Sequence, residues 1–326
     1  MVLTALIAGL LLVGLCIPGF LLEKSGKFPP AVNKVLAVIL TYVAQPAISL
    51  YSFQTNEYRD GILVEMGLVA LFSLVSILLS ALVGRVLFKK AFKKGVDEKE
   101  RIVNRTLCMS TIFCNCGFMG LPFVKMLMPN NPEALLYTAI YMIFYNMLSW
   151  SLGIYILTGE KKYIKVKQIL LNPPTIVMVV ALPLFFLGIK LPEPLYSFVL
   201  HCQNLAAPIS MLLMGVYLAR MSFKTIFGDK KAYFATFIKL IIAPIIMFIV
   251  AYPFKGLLGA QAVTVILTCF VVACMPSATF NMYINDMYGT EDGSKAAVKV
   301  VLMSTILSIL SAPLMLWLLN FVMPVL

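Results

Sequence analysis

Two stretches decide the fold. One is Ser110-Thr111-Ile112-Phe113-Cys114-Asn115-Cys116-Gly117-Phe118-Met119-Gly120-Leu121-Pro122, and the other, late in the chain, is Met275-Pro276-Ser277-Ala278-Thr279-Phe280-Asn281. Each lies inside a long apolar run, yet each holds residues that interrupt a helix. Proline removes a backbone donor and its ring clashes with the carbonyl four residues back, and glycine lowers helix propensity. If each proline opens a new half-helix, its missing donor is no loss. The amides that follow then present a partially positive helix end toward the protein centre. Such an end suits an anion, and discontinuous helices in carriers use this device. A simple proline kink is the alternative, and the presence of a break in both halves favours the discontinuous reading.

The rest of the chain identifies the solvent. Of 326 residues, 61% are apolar and 12% charged, a composition that excludes a water-soluble globule. About 20 apolar residues at about 1.5 Å rise span a hydrocarbon core of about 30 Å. Ten runs meet that requirement, at 2–22, 30–54, 62–88, 103–128, 133–158, 172–189, 194–219, 232–254, 259–286 and 295–323. With no water to satisfy the backbone, they are helices or helices broken inside protein. The expected fold class is therefore an all-α membrane protein with ten transmembrane helices. The first run reads as helix one rather than a signal peptide, because no positive segment opens it and no small-residue cleavage pattern follows.

The formal charge of +12 would suggest a nucleic-acid partner in a soluble protein. Here the basic residues fall between apolar runs. Twenty-two of the 26 Lys and Arg lie in the connections after helices one, three, five, seven and nine, whereas Arg59, Lys125, Lys190 and Lys255 fall one to each of the other four. Short cytoplasmic connections collect positive charge, so the expected location is the cell membrane, multi-pass, with both termini outside and no nucleic-acid partner. The basic run at 85–105 reads as the same topology signal.

The two halves echo each other. Ile17-Pro18, Phe28-Pro29 and Gln45-Pro46-Ala47-Ile48-Ser49 in helices one and two are answered by Leu182-Pro183, Leu191-Pro192 and Ala207-Pro208-Ile209-Ser210 in helices six and seven. Pro122 of helix four answers Pro276 of helix nine. Five helices per half is odd, so the second half enters the membrane from the opposite face. The expected organisation is a 5+5 inverted repeat with broken, crossing helices four and nine: residues 1–158, a short cytoplasmic connection at 159–171, and residues 172–326.

These residues resemble the auxin efflux carrier family, which includes plant PIN-type carriers and bacterial relatives. Asn115-Cys116-Gly117-Phe118-Met119-Gly120-Leu121-Pro122 is similar to the family's Asn-to-Gly-x-Pro crossover segment. Asn172-Pro173, Pro208 with Gly215, and Met275-Pro276 through Tyr288-Gly289 match other family stretches in order and spacing. The resemblance implies a dimerising scaffold of helices one, two, six and seven. It also implies a transport part of helices three to five and eight to ten that moves in elevator fashion, with the substrate at the crossing of helices four and nine. Family members move organic anions such as auxin or small dicarboxylates. The connection at 159–171 is too short for the long hydrophilic loop of the plant carriers, so a bacterial-type member is the closer comparison.

A polar side chain inside the bilayer needs a partner or a substrate. Asn115 is the first candidate, because its amide can donate to a carboxylate; an interhelical bond is the alternative. Gly117, Gly120 and Pro122 accompany it, and Pro276, Ser277, Thr279 and Asn281 are the helix-nine counterparts. Gln45 is the candidate from the scaffold side, with Gln203 and Asn204 behind it, and helix-to-helix bonding is the favoured alternative for each. Among charged residues, Glu65 and Lys299 lie about a turn inside their runs and reach the interface. Lys239 lies about 10 Å deep, where snorkelling is the expected behaviour and a fixed counter-charge the other reading. Cys114 and Cys116 form the only close cysteine pair, and His201 is the sole histidine. With no set of four soft ligands, no metal site is expected, and no cofactor is implied. Neither paired carboxylates nor a nucleophile with its base points to an enzyme. The function expected is secondary transport of a small organic anion. A sodium-coupled symporter of the bile-acid type is the runner-up, and a transporter-like receptor the reading from another class.

Overall fold

The computed structural model describes residues 1–323, apart from the side chain of Pro174. Among these residues the structure is helical, with no strand. Helical runs α1 (Val2–Lys24), α2 (Val32–Gln54) and α3 (Ile62–Leu87) are followed by α4 (Glu98–Ile112), α5 (Cys116–Leu127) and α6 (Glu133–Thr158). Then come α7 (Pro173–Phe186) and α8 (Glu193–Arg220), and a run over Lys230–Cys274. The last two are α11 (Phe280–Tyr288) and α12 (Glu291–Val322). Seven helical runs are long and apolar enough to cross a membrane: α1, α2, α3, α6, α8, Lys230–Cys274 and α12.

The 45-residue run over Lys230–Cys274 would extend about 68 Å if straight, twice the hydrocarbon thickness. It instead turns through short 3-10 segments at Tyr252–Phe254 and Gly259–Gln261. The rings of Phe248 and Phe270 come within 6.2 Å of each other across the bend. We therefore treat it as α9 (230–251) and α10 (Ala262–Cys274). Eight of the ten apolar runs read from the sequence fall on continuous helix with ends shifted by a few residues. The other two, at 103–128 and 259–286, are interrupted between α4 and α5 and between α10 and α11.

Three of the prolines follow a widened turn, whereas Pro183 and Pro313 lie inside continuous helix. Three turns are widened to π geometry, at Leu40–Ala44, Cys116–Gly120 and Ile238–Ile242. Each is followed two residues later by a proline: Pro46, Pro122 and Pro244. The carbonyls that these rings would strike, four residues back, belong to Tyr42, Phe118 and Leu240, each at the centre of its widened turn. Opening the turn moves that carbonyl away from the ring and lets the helix continue. A fourth π turn, Ser149–Gly153, has no such proline; there a Cβ on Gly153 would press on the ring of Phe113, 3.1 Å away.

The helices sort by their contacts. The second half of α1 lies directly on α8, where a Cβ on Gly19 would overlap the carbonyl of Leu212 and one on Gly215 the carbonyl of Cys16. α2 joins α7 and α8 through Phe53 on Phe185 at 5.7 Å and Tyr51 on Tyr196 at 6.0 Å. The side chain of Gln54 bridges the same region, donating to Ile189 O and accepting from Leu191 N. In the remaining helices, Phe72 of α3 packs on Phe254 beyond α9, and Phe113 after α4 packs on Tyr145 of α6. Arg105 of α4 donates to Thr158 O at the end of α6, 2.6 Å away.

Candidate functional site

α4 ends at Ile112 and α10 at Cys274, and the two open segments that follow bond to each other. Asn115 N donates to Pro276 O at 2.8 Å, and Ala278 N donates to Phe113 O at 3.0 Å. Cys114 and Ser277 thereby face each other as a single antiparallel bridge. The pair is reciprocal, so the two breaks satisfy each other's backbone groups where no water reaches.

This register corrects two expectations. With Cys114 opposite Ser277, Pro122 lies eight residues past the crossing point and Pro276 one residue before the facing position. The two prolines are therefore not equivalents. Neither opens a half-helix: α5 starts at Cys116 and α11 at Phe280. Pro276 sits in the extended link and contributes its carbonyl, while Pro122 widens the first turns of α5. The chain leaves the helix because the partner break offers equal backbone bonds, and proline makes that exchange inexpensive at Pro276 by having no donor to lose.

Asn115, 3% exposed, sits just before α5. Its carbonyl accepts from Met119 N and Gly120 N, but its side-chain Nδ2 has no acceptor. The first amides of a helix lack intrahelical acceptors, and among the described residues Gly117 N and Phe118 N find none outside it. Gly120 brings this turn against the opposite break, since a Cβ there would sit 3.3 Å from Met275 Cγ. Gly117 faces the flexible end of Met142 of α6.

Across the crossing, Ser277 N donates to Ser304 Oγ of α12 at 3.0 Å. Ser277 Oγ accepts from Asn281 Nδ2 at 2.9 Å, leaving Asn281 Oδ1 without a donor. Thr279 immediately precedes α11, and its side chain makes no capping bond. The chain of polar groups continues beyond the candidates read from the sequence: Asn285 Nδ2 donates to Asn281 O, and Thr106 Oγ1 of α4 donates to Asn285 Oδ1 at 2.7 Å. Ser277, Asn281 and Asn285 repeat every four residues, one face of a helix, so the spacing was there to find Asn285. Nothing local in sequence points to Ser304 or Thr106.

The scaffold-side candidates divide. Gln45 is half-buried at the start of the α2 segment that packs beside Cys116–Gly120. Gln203 instead spends its amide on neighbouring Asn204, at 2.7 Å. A shallow groove between α2, α6 and α7, lined by Ser49, Met142, Asn146 and Met178, has no room for a water molecule. Met142, the side chain that faces Gly117, separates it from the two breaks.

The charged residues at depth also separate. Glu65 is held at the start of α3 by Arg59, with Nη2 to Oε2 2.6 Å, and Arg59 also pairs with Glu133. Lys299 reaches Asp229 at 3.0 Å. Both end in ion pairs. Lys239 does not. It is 1% exposed, in the widened turn of α9, and its Nζ donates to Ala273 O at 3.2 Å. Snorkelling is thus replaced by an inward path. Ala273 belongs to the last turn of α10, whose carbonyls have no following helical amides, and Ser277 N, which would continue that ladder, is taken by Ser304. The break itself supplies the acceptor that holds the lysine in. Among the described residues no carboxylate lies within ion-pair distance of it.

No three of the His, Cys, Asp and Glu side chains among the described residues are placed to hold a metal ion. Cys114 Sγ contacts the hydroxyl of Tyr141 at 3.6 Å.

Comparison with curated proteins finds no match. Comparison with protein families finds one described as membrane transport protein, matching residues 4–316. That match takes in both breaks and nearly all of the helices around them. The chain is thus a multi-pass membrane transporter and belongs to the membrane transport protein family, that of the auxin efflux carriers.

Proposed function

We propose that the protein is a secondary carrier of small organic anions that binds a carboxylate at the junction of the two broken helices. The observation behind this reading is the buried, unpartnered Nδ2 of Asn115 beside the open amides at the start of α5. A donor group buried without an acceptor is costly, and a carboxylate brings acceptors and the charge that a helix start favours.

In this reading the chain crosses the membrane ten times as two inverted halves, 1–158 and 172–326, joined by the cytoplasmic connection 159–171. The broken crossings are α4 with α5 and α10 with α11. The antiparallel pairing of the two breaks supports the inversion. α1, α2, α7 and α8 form the scaffold, which pairs with a second copy. The transport part consists of α3 to α6 and α9 to α12, and the tie between Thr106 of α4 and Asn285 of α11 supports its moving as one body. Elevator motion of this part past Gln45 exposes the site to each side in turn. Both termini face outside, at the cell membrane.

The test is thermal unfolding of the purified protein with benzoate, succinate, malate and indole-3-acetate. A ligand that binds only the folded state raises the midpoint in a concentration-dependent way. The reading expects at least one acid to do so in wild type and much less in Asn115→Ala. If none of these acids shifts the midpoint, the carboxylate site is refuted. A shift that requires sodium favours the coupled symporter.

A further inference from the structure

We propose that Lys239 is a resident cation of the crossing, balancing the charge of the bound carboxylate so that the loaded carrier crosses the membrane field as a neutral unit. The inference rests on the anion-carrier reading above and assigns its charge balance to one residue. Four observations lead to it. Lys239 is buried at 1% exposure, deep in α9. Its one hydrogen bond goes to Ala273 O, at the C-terminal end of α10, where a cation is favoured by the helix dipole. An ammonium has three donors, so two remain beyond that bond. Among the described residues no carboxylate lies within ion-pair distance of it.

A cation left unpaired in low dielectric is expensive unless an anion joins it. Here the anion site and the cation share one structure. Asn115 and the α5 amides lie on one strand of the crossing, whose other strand runs straight out of the α10 turn that Lys239 caps. The widened turn at Ile238–Ile242, set by Pro244, delivers the lysine there. The arrangement occupies the carbonyl end of a broken helix, a place where carriers hold a coupling cation, with a side chain that cannot leave.

The consequence concerns voltage. One negative charge still moves per net cycle, but the step that carries it changes. The anion-loaded form is neutral and the empty form carries +1. Net efflux is then driven by voltage during the return of the empty carrier, and exchange of one anion for another, which never uses that return, is indifferent to voltage.

Proteoliposomes distinguish these steps. Labelled benzoate and labelled indole-3-acetate are loaded, a potassium diffusion potential is set with valinomycin, and net efflux is compared with exchange against the same unlabelled acid outside. The expected result is net efflux biased toward about 50-fold per 100 mV with exchange unchanged. In Lys239→Met the loaded form carries −1 and exchange becomes voltage-sensitive, while Lys239→Arg keeps wild-type behaviour. Voltage-dependent exchange in wild type overturns the proposal without any variant, so it stays open to refutation even if Lys239→Met fails to fold. Voltage-insensitive exchange in a monodisperse Lys239→Met also overturns it. Transport of neither acid overturns the anion-carrier reading and this inference with it.

Discussion

Asn115 has the clearest consequence of any single residue. Its Nδ2 is buried without a partner, so Asn115→Ala breaks no side-chain hydrogen bond of the folded chain. Carboxylate binding should weaken by about 1 to 3 kcal/mol, the scale of a hydrogen bond to a charged group, while the melting temperature without ligand stays within about a degree or two of wild type. Isothermal titration against the acid that binds best reads the first, and a loss of stability with unchanged affinity would make Asn115 structural. Ser304 is the opposite case. Ser304→Ala strands the buried Ser277 amide, so a stability loss of about 1 to 3 kcal/mol is expected, seen as a lower unfolding midpoint without ligand. An unchanged midpoint would show that the amide finds another acceptor. The sequence made Asn115 legible because a lone amide in an apolar run has few uses. It could not show Ser304, which is one of several serines in α12, and it misplaced Lys239. The depth of that lysine was readable, but the free carbonyl of Ala273 that holds it exists only once α10 has broken.

At the scale of elements, the lengths of the apolar runs anticipated where most of the helices lie, because apolar length is a local property of composition. The breaks were anticipated as well, but their register was not. Proline and glycine mark where a helix is weak, whereas the pairing of Cys114 with Ser277 is set by which backbone groups meet across the two halves. That is a long-range outcome, and it is why Pro122 and Pro276 looked equivalent in the sequence and are not. The tightest packing is also long-range. Gly19 and Gly215 let α1 and α8 approach until backbone meets backbone, the arrangement that small residues permit in membranes. Gly215→Ala should force these helices apart and lower stability by about 1 to 3 kcal/mol, with a reduced unfolding midpoint in detergent. Gly256→Ala, where nothing lies within 4 Å of the added atom, should leave the midpoint near wild type. Equal behaviour of the two variants would contradict the close approach.

For the whole molecule, the alternation of basic connections and the antiparallel pairing of the breaks support the same inverted arrangement from unrelated observations, one electrostatic and one a backbone geometry. Single cysteines placed at Asp97 and Asp292 should resist impermeant thiol reagents in intact cells, and one at Glu57 should react; labelling at Asp97 from outside would reverse the orientation. On this reading the protein moves an organic anion through the crossing, with the membrane potential as sufficient driving force. No Asp or Glu falls near the middle of an apolar run, and Glu65 is tied to Arg59 at the start of α3, so proton coupling has no evident carrier. An inside-negative potential contributes about 2.3 kcal/mol per charge per 100 mV toward anion export. The direct measurement is net flux of a labelled carboxylate from proteoliposomes under an imposed potassium diffusion potential, at equal pH and without sodium. Flux that rises with inside-negative potential is the predicted result, and flux that ignores the potential but follows a proton or sodium gradient would contradict the account.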